Sequence, residues 1–409
     1  MSSATRRYDL DWLRVIAFGL LIFYHTGMLY VADWGFHYKS QYQSEFLQYV
    51  MLMINPWRMP LLFFISGIAL RYVLQSHSLV TTFLSRTWRL LLPLSFGIVA
   101  IVPVQLYVEM TSAGAIDFSF GHFYRIFFDL SHPSFNDFQS GIFPHIDVNH
   151  LWYLRELWQF SLVLILCYPI FNYPKVKETI DRLLVSRHIV LVICLVPLVL
   201  SLAELVLFPE SEEGRRIARG FCFFLLGYLI FENTVWWETL VKYRRLLLII
   251  AVSCSAIFLS YYGLVWLSRD EPLSPLYAYA ERLFVFVNRW VSLLAVCAYA
   301  ATYLNKPHPS LRYWSTSVYP SYIAHQSLLI AACFYLTPYQ LGGFVEPLIV
   351  LLVTFGGCAL IYSLFSRVGM IGELMGIFTK PDMTEYKARK LLRAVLWVPM
   401  LVIGLAILF

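Results

Sequence analysis

Long apolar runs recur along the whole of this 409-residue chain, and nearly all are long enough to cross the roughly 30 Å hydrocarbon core of a bilayer as a helix. They fall near 11–31, 51–74, 89–110, 150–172, 187–208, 217–232, 244–267, 283–304, 318–336, 347–367 and 391–409. Backbone groups exposed to lipid have no water to bond, so a chain of this kind has to pair them within helices. The expected fold is all-α, a polytopic transmembrane bundle of about 10–11 helices, the sixth run being the shortest. Composition agrees: 59% of residues are hydrophobic and 14% charged, against roughly 25% charged in a soluble domain.

Orientation follows from the basic residues. With the N-terminus in the cytoplasm, 21 of the 31 lysines and arginines lie on the inner side and seven in outer loops, leaving Arg58, Arg155 and Arg289 within spans. That is a strong positive-inside bias, and it accounts for the net charge of +6 without a nucleic-acid partner. The first run follows Arg6 and Arg7, carries charges and lacks a small-residue cleavage site, so it is expected to remain as the first helix. The chain is therefore expected in the inner (plasma) membrane as a multi-pass protein. All seven cysteines fall in apolar runs, which argues for packing rather than a disulfide framework. No internal repeat and no low-complexity tract is visible.

Ionisable groups inside such spans are costly, about 2.5 to 3.5 kcal/mol near the bilayer centre, and usually mark function or a specific partner. The first span, "LDWLRVIAFGLLIFYH", holds Asp11, Arg14 and His25. Eleven residues separate Arg14 from His25, about three turns, so the two point within about 20° of each other and lie roughly 16 Å apart along the axis. Asp11, three residues before Arg14, can pair with it. An interfacial salt bridge plus a histidine bonded to a neighbouring helix explains the same residues equally well.

The second span, "NPWRMPLLFFISGIALRY", places Arg58 between Pro56 and Pro60, which are expected to kink its outer half. Ser66-Gly67 further in allows a close approach, of a ligand or of another helix. "SRTWRLLLPL" sets Arg86 and Arg89 on one face at the inner mouth of the third span, suited to a phosphate or simply to anchoring. "NHLWYLRELW" opens the fourth span with His150, Trp152, Arg155 and Glu156. "VYPSYIAHQSLL" spaces Tyr319, Tyr322 and His325 as a polar stripe on an apolar helix. The outer loop near 111–149 mixes acidic, histidine and phenylalanine residues. Its histidine spacing fits no zinc pattern, so no metal is expected, and an interfacial amphipathic segment is the expected structure.

With these residues in view, the chain resembles the acyltransferase-3 family of membrane O-acyltransferases, and within it the glucan biosynthesis protein C type. The resemblance rests on "LDWLR" followed by ten residues and His25, then "RMPLLFFISG", "SRTWRLLLP", "HLWYL" and "YPSYIAHQSL", in the family's order. It implies that Arg14 and His25 are the functional pair, and that an acyl group passes from a cytoplasmic donor to an acceptor outside. It also implies a domain over 1–380, with 381–409 an additional C-terminal helix.

The expected reaction uses acyl-CoA as donor substrate, with no permanently bound cofactor, and a carbohydrate hydroxyl as acceptor. His25 is the expected general base, since an imidazole titrates near neutrality. Arg14 and Arg58 are expected electrostatic stabilisers, with Asp11 beside Arg14. Arg86 and Arg89 are expected to hold the donor's phosphates, and Ser66, His150, Trp152, Glu156, Tyr322 and His325 to complete the binding sites. A secondary transporter for an anionic small molecule would use intramembrane arginines and broken helices in a similar way; thioester cleavage separates the two.

Overall fold

The computed structural model describes residues 6–183, 189–208, 211–231, 233–269, 271, 273–378 and 383–408. The expected boundary at 380/381, the first residues of the span near 187–208, and Phe409 lie outside them. In chain order the helices are α1 (Tyr8–Tyr30), α2 (Phe46–Ser76), α3 (Leu79–Ala100), α4 (Pro103–Ser112), α5 (Phe120–Ile126), α6 (Trp152–Phe171), α7 (Pro174–Leu183), α8 (Ile189–Leu207), α9 (Glu212–Ile230), α10 (Thr234–Lys242), α11 (Arg244–Tyr261), α12 (Pro275–Tyr303), α13 (Leu311–Leu336), α14 (Val345–Phe365), α15 (Gly369–Leu374) and α16 (Met383–Leu408). Among the described residues there is no strand, and the architecture is the all-α membrane bundle the apolar runs imply. Among the described residues, seven helical stretches are long and apolar enough to span a membrane, eight if α9 and α10 form one bent span. Residues Ile193–Glu204 and Ala394–Leu408 form shorter apolar helices. The 26 residues of α13 suffice in length, but its polar side chains lower its hydropathy.

The chain divides into two compact units. The first comprises residues 1–20, 49–82 and 160–315. Its centre is aromatic: Trp290 lies 6.1 Å from both Phe223 and Trp236, and its indole donates to the Ile193 carbonyl at 2.8 Å. Helices α2 and α9 cross at paired glycines. A Cβ on Gly67 would lie 2.8 Å from the Phe224 carbonyl carbon, and one on Gly227 would lie 2.8 Å from that of Phe64. Only glycine permits that backbone approach. α2 is helical from Phe46 to Ser76 through Pro56 and Pro60.

The second unit comprises residues 21–48, 83–159 and 316–409. Leu29 and Tyr30 of α1, Val108 of α4, Leu329, Ile330 and Cys333 of α13, and Val350 of α14 form one buried cluster. Lys39 donates to the carbonyls of Met28, at 2.9 Å, and Val31, so a cation closes the C-terminal end of α1. The span of α3 and α4 breaks at Pro103, which has no amide to offer the Val99 carbonyl four residues back. The Tyr124 hydroxyl donates to that carbonyl at 3.1 Å instead.

Residues 113–148 pack on themselves rather than forming an extended amphipathic segment. Met110, Ile116, Phe123, Phe127 and Phe135 make a buried core. His145 stacks on Phe135 with ring centroids 3.8 Å apart, and its Nε2 donates to the Phe127 carbonyl at 2.7 Å. Phenylalanines that suit an interface in sequence satisfy one another instead. All seven cysteines are free thiols.

Candidate functional site

Helix α13 places most of the polar chemistry of the second unit. Tyr322 is buried and donates to the His150 carbonyl at 2.5 Å. His325 is buried and its Nδ1 donates to the Tyr322 carbonyl three residues back, at 2.7 Å. A carbonyl only accepts, so Nδ1 carries a proton. The rings of His25 and His150 flank that of His325 at 5.2 and 5.4 Å. His25 also faces Phe36 at 6.3 Å. Residues from two separate spans, His150 of one and Tyr322 and His325 of the other, thus meet beside His25.

A hydrogen-bond network extends from this group, and a single backbone carbonyl fixes its polarity. His150 Nε2 donates to the Ile323 carbonyl at 3.0 Å, so Nδ1 is the accepting nitrogen. The Gln105 amide nitrogen must then donate to Nδ1, at 2.9 Å; it donates also to the Ser327 hydroxyl at 2.8 Å, while Ser327 donates onward to the Ile101 carbonyl at 2.7 Å. Gln105 therefore turns its oxygen to Gln326, whose amide nitrogen donates at 3.0 Å and reaches Asn149 Oδ1 at 3.4 Å. Asn149 Oδ1 accepts in turn from His37 Nε2 at 3.0 Å, and His37 Nδ1 meets Glu109 at 2.6 Å. Every amide orientation follows from the first carbonyl.

Arg86 and Arg89 lie one turn apart on α3. Arg86 Nε and Nη2 are buried without a hydrogen-bond partner among the described residues, and the side chain interacts electrostatically with Tyr153 and Tyr319. Tyr153 in turn packs on Tyr322 at 5.9 Å. Aromatic contacts therefore link Arg86 to the histidines. Arg89 is exposed and lies over the Phe378 ring at 4.9 Å. Trp152 packs on Tyr153 at 6.5 Å, and Glu156 is fully buried.

The first unit holds the remaining candidates. Arg14 donates to the Ser315 carbonyl at 3.2 Å and to its hydroxyl, tying α1 to the start of α13. Its pairing with Asp11 is long, 3.8 Å, because Asp11 accepts from Arg6 at 2.8 and 3.2 Å. Arg58 is buried. Ser66 is part-buried beside Gly67, at the glycine crossing of α2 and α9, so its neighbourhood is that of close helix packing.

Gln105, Glu109, Asn149, Gln326 and His37 escape a reading of the sequence alone. Gln105 and Glu109 are polar positions in the apolar "VPVQLYVEM", and Asn149 and Gln326 adjoin the histidines that the motifs single out. Isolated polar residues in a span are the available signal. Among the described residues no group of three or more histidine, cysteine or acidic side chains is placed to hold a metal.

Comparison with known proteins adds one finding. A family model described as an acyltransferase domain matches residues 7–363. No curated protein and no solved structure matches the chain.

Proposed function

The chain belongs to the acyltransferase-3 family, and on that footing we propose that this membrane acyltransferase moves a short acyl group, acetyl or succinyl, from cytoplasmic acyl-CoA to a hydroxyl of an extracytoplasmic glycan. The observation that carries the reading is the half-buried His25 ring set 5.2 Å from His325, beside two buried imidazoles, those of His325 and His150, each oriented by a backbone carbonyl. Neutral imidazole is what proton abstraction from an alcohol requires.

In this reaction His25 takes the proton of the acceptor hydroxyl as its oxygen attacks the thioester carbonyl. The C–O ester bond forms, the C–S bond breaks, and the proton passes from His25 to the departing sulfur to give free CoA thiol. Arg86, whose Nε and Nη2 are buried with unmet donors among the described residues, suits a phosphate of the donor, and Arg89 adds charge one turn away. Arg14 and Arg58 serve as electrostatic stabilisers of the donor and of the developing oxyanion. The N-terminus in the cytoplasm sets the Arg86 end of α3 on the donor side. Choice of a glucan-like acceptor follows the motif resemblance, and the charge bias of the loops supports the inner membrane.

The test is release of CoA thiol by purified protein in detergent, given acetyl-CoA or succinyl-CoA and a gluco-oligosaccharide mixture. Acceptor-dependent release is expected, falling about 10²- to 10⁴-fold in His25→Ala, the usual contribution of a general base. Wild-type rates in folded His25→Ala would overturn the assignment. Uptake of an anion by proteoliposomes without thioester cleavage would favour the carrier instead.

A further inference from the structure

The transfer reading leaves open where the acceptor binds, and the network running out from His150 ends in groups that the chemistry above does not use. Gln326 is 3% exposed. Its nitrogen donates to Gln105 and Asn149, and its Oε1 is buried with no hydrogen-bond partner among the described residues. Its orientation cannot simply be reversed, because the Ile323 carbonyl dictates it through His150 and Gln105. A buried acceptor without a donor costs about 1–3 kcal/mol.

The far end of the network is open. In the His37–Glu109 pair the side chains are 24% and 38% exposed. Glu109 uses only Oε2 for His37, and its Oε1 makes no hydrogen bond among the described residues. Asn149, which accepts from His37, holds a left-handed φ of 47°, a conformation that non-glycine residues adopt at some cost and often at functional sites. Phe36 stands between the pair and the reacting histidine: its ring lies 5.4 Å from His37 and 6.3 Å from His25. Accepting oxygens and an amide therefore continue outward from Phe36, which faces His25 on one side and His37 on the other.

We propose that Glu109, His37, Asn149 and Gln326 form the subsite for the acceptor, a polyhydroxylated molecule whose O–H groups donate to Glu109 Oε1 and Gln326 Oε1 while Phe36 packs against its carbon face. Glu109 Oε1 and Gln326 Oε1 are both acceptors, so this rim selects a ligand rich in O–H donors. The buried amides hold the rim in one geometry before the ligand arrives. The inference rests on the transfer reading above, since it names the acceptor side of that same reaction.

The test uses permeabilised cells of the native host, supplied with acetyl-CoA or succinyl-CoA labelled in the acyl group, so that the cell's own envelope glycan is the acceptor probe. Two products are counted after subtracting the His25→Ala background: alkali-labile label on extracytoplasmic glycan, and free labelled acid from transfer to water. In Glu109→Gln and Asn149→Ala the ratio of ester to free acid is expected to fall at least tenfold, because water then competes with a poorly held alcohol. A structural defect lowers both products together. An unchanged ratio in both variants, at any total yield, overturns the subsite. Absence of His25-dependent ester in wild-type cells overturns the transfer reading, and the subsite with it.

Discussion

The Tyr319 hydroxyl donates at 2.7 Å to the carbonyl of Arg89, the oxygen that Pro93, four residues further along α3, leaves without its helical amide. A tyrosine on α13 thus completes the hydrogen bonding of α3 beside Arg86 and Arg89. Gly376 makes room for it: at φ 75° its own Cβ, if present, would lie 2.5 Å from the Tyr319 ring. Tyr319→Phe is expected to cost about 0.5–1.5 kcal/mol, the net contribution of one hydrogen bond that water can partly replace. The same substitution in a Pro93→Ala background should cost little, because an alanine at that position restores the amide. Thermal unfolding in detergent of the four proteins of this cycle measures the coupling, and additive losses would refute it.

The paired glycines of the first unit make a second prediction. Gly67→Ala and Gly227→Ala each drive a methyl into a backbone carbonyl of the opposing helix, which relieves only by parting α2 from α9. Each should cost at least about 1–3 kcal/mol, the range typical of overpacking. Gly19→Ala and Gly356→Ala, with no atom of a neighbouring element within 4 Å of the added carbon, should be neutral or slightly stabilising, since alanine favours the helix. Folded yield and melting temperature in detergent compare the four.

His145 gives the segment 113–148 a pH dependence. Burial against Phe135 holds its pKa below the usual value of 6.5, outweighing the bond to the Phe127 carbonyl and the attraction of Asp129, with His132 adding repulsion. The unfolded segment therefore binds a proton more readily than the folded one. Stability from this group is intact above about pH 6.5 and falls as pH drops toward the lowered folded value. Hydrogen exchange of amides 113–148 should quicken between about pH 7 and pH 5 beyond the intrinsic trend. His145→Phe should remove that excess, and an identical profile in the variant would show that another group is responsible.

Much of the bundle can be read from the chain because lipid imposes one rule, helix wherever the run is apolar. The alignment of Arg14 with His25 needs only the helical period. What stays hidden depends on partners far away in sequence: Gln105 meets Ser327, and His37 meets Glu109 and Asn149, across gaps no local pattern encodes. The expected Asp11–Arg14 pair is weakened for a related reason, since Arg6, just outside the span, competes for the same carboxylate. Self-packing in 113–148 is equally invisible, because phenylalanines suit a membrane interface and a small core alike.

Arg7 and Asp9 form the most enclosed ion pair at the start of α1. Arg7 donates to Asp9 at 2.6 and 2.9 Å, Asp9 has no exposed surface, and the guanidinium lies 3.9 Å from the centre of the Trp237 ring. Removing one partner of a buried pair strands the other charge and commonly costs about 3–5 kcal/mol. Arg7 keeps 21% of its side-chain surface exposed, so Asp9→Ala should cost nearer to about 3 kcal/mol on that scale. Arg7→Met with Asp9→Leu removes both charges, keeps volume against Trp237, and should recover most of the loss. Salt discriminates this account from a surface pair: because Asp9 is enclosed, raising ionic strength should leave the difference between wild type and Asp9→Ala nearly unchanged. A penalty that vanished at about 1 M salt would mean that the pair is screened by solvent and contributes only as an exposed bridge does.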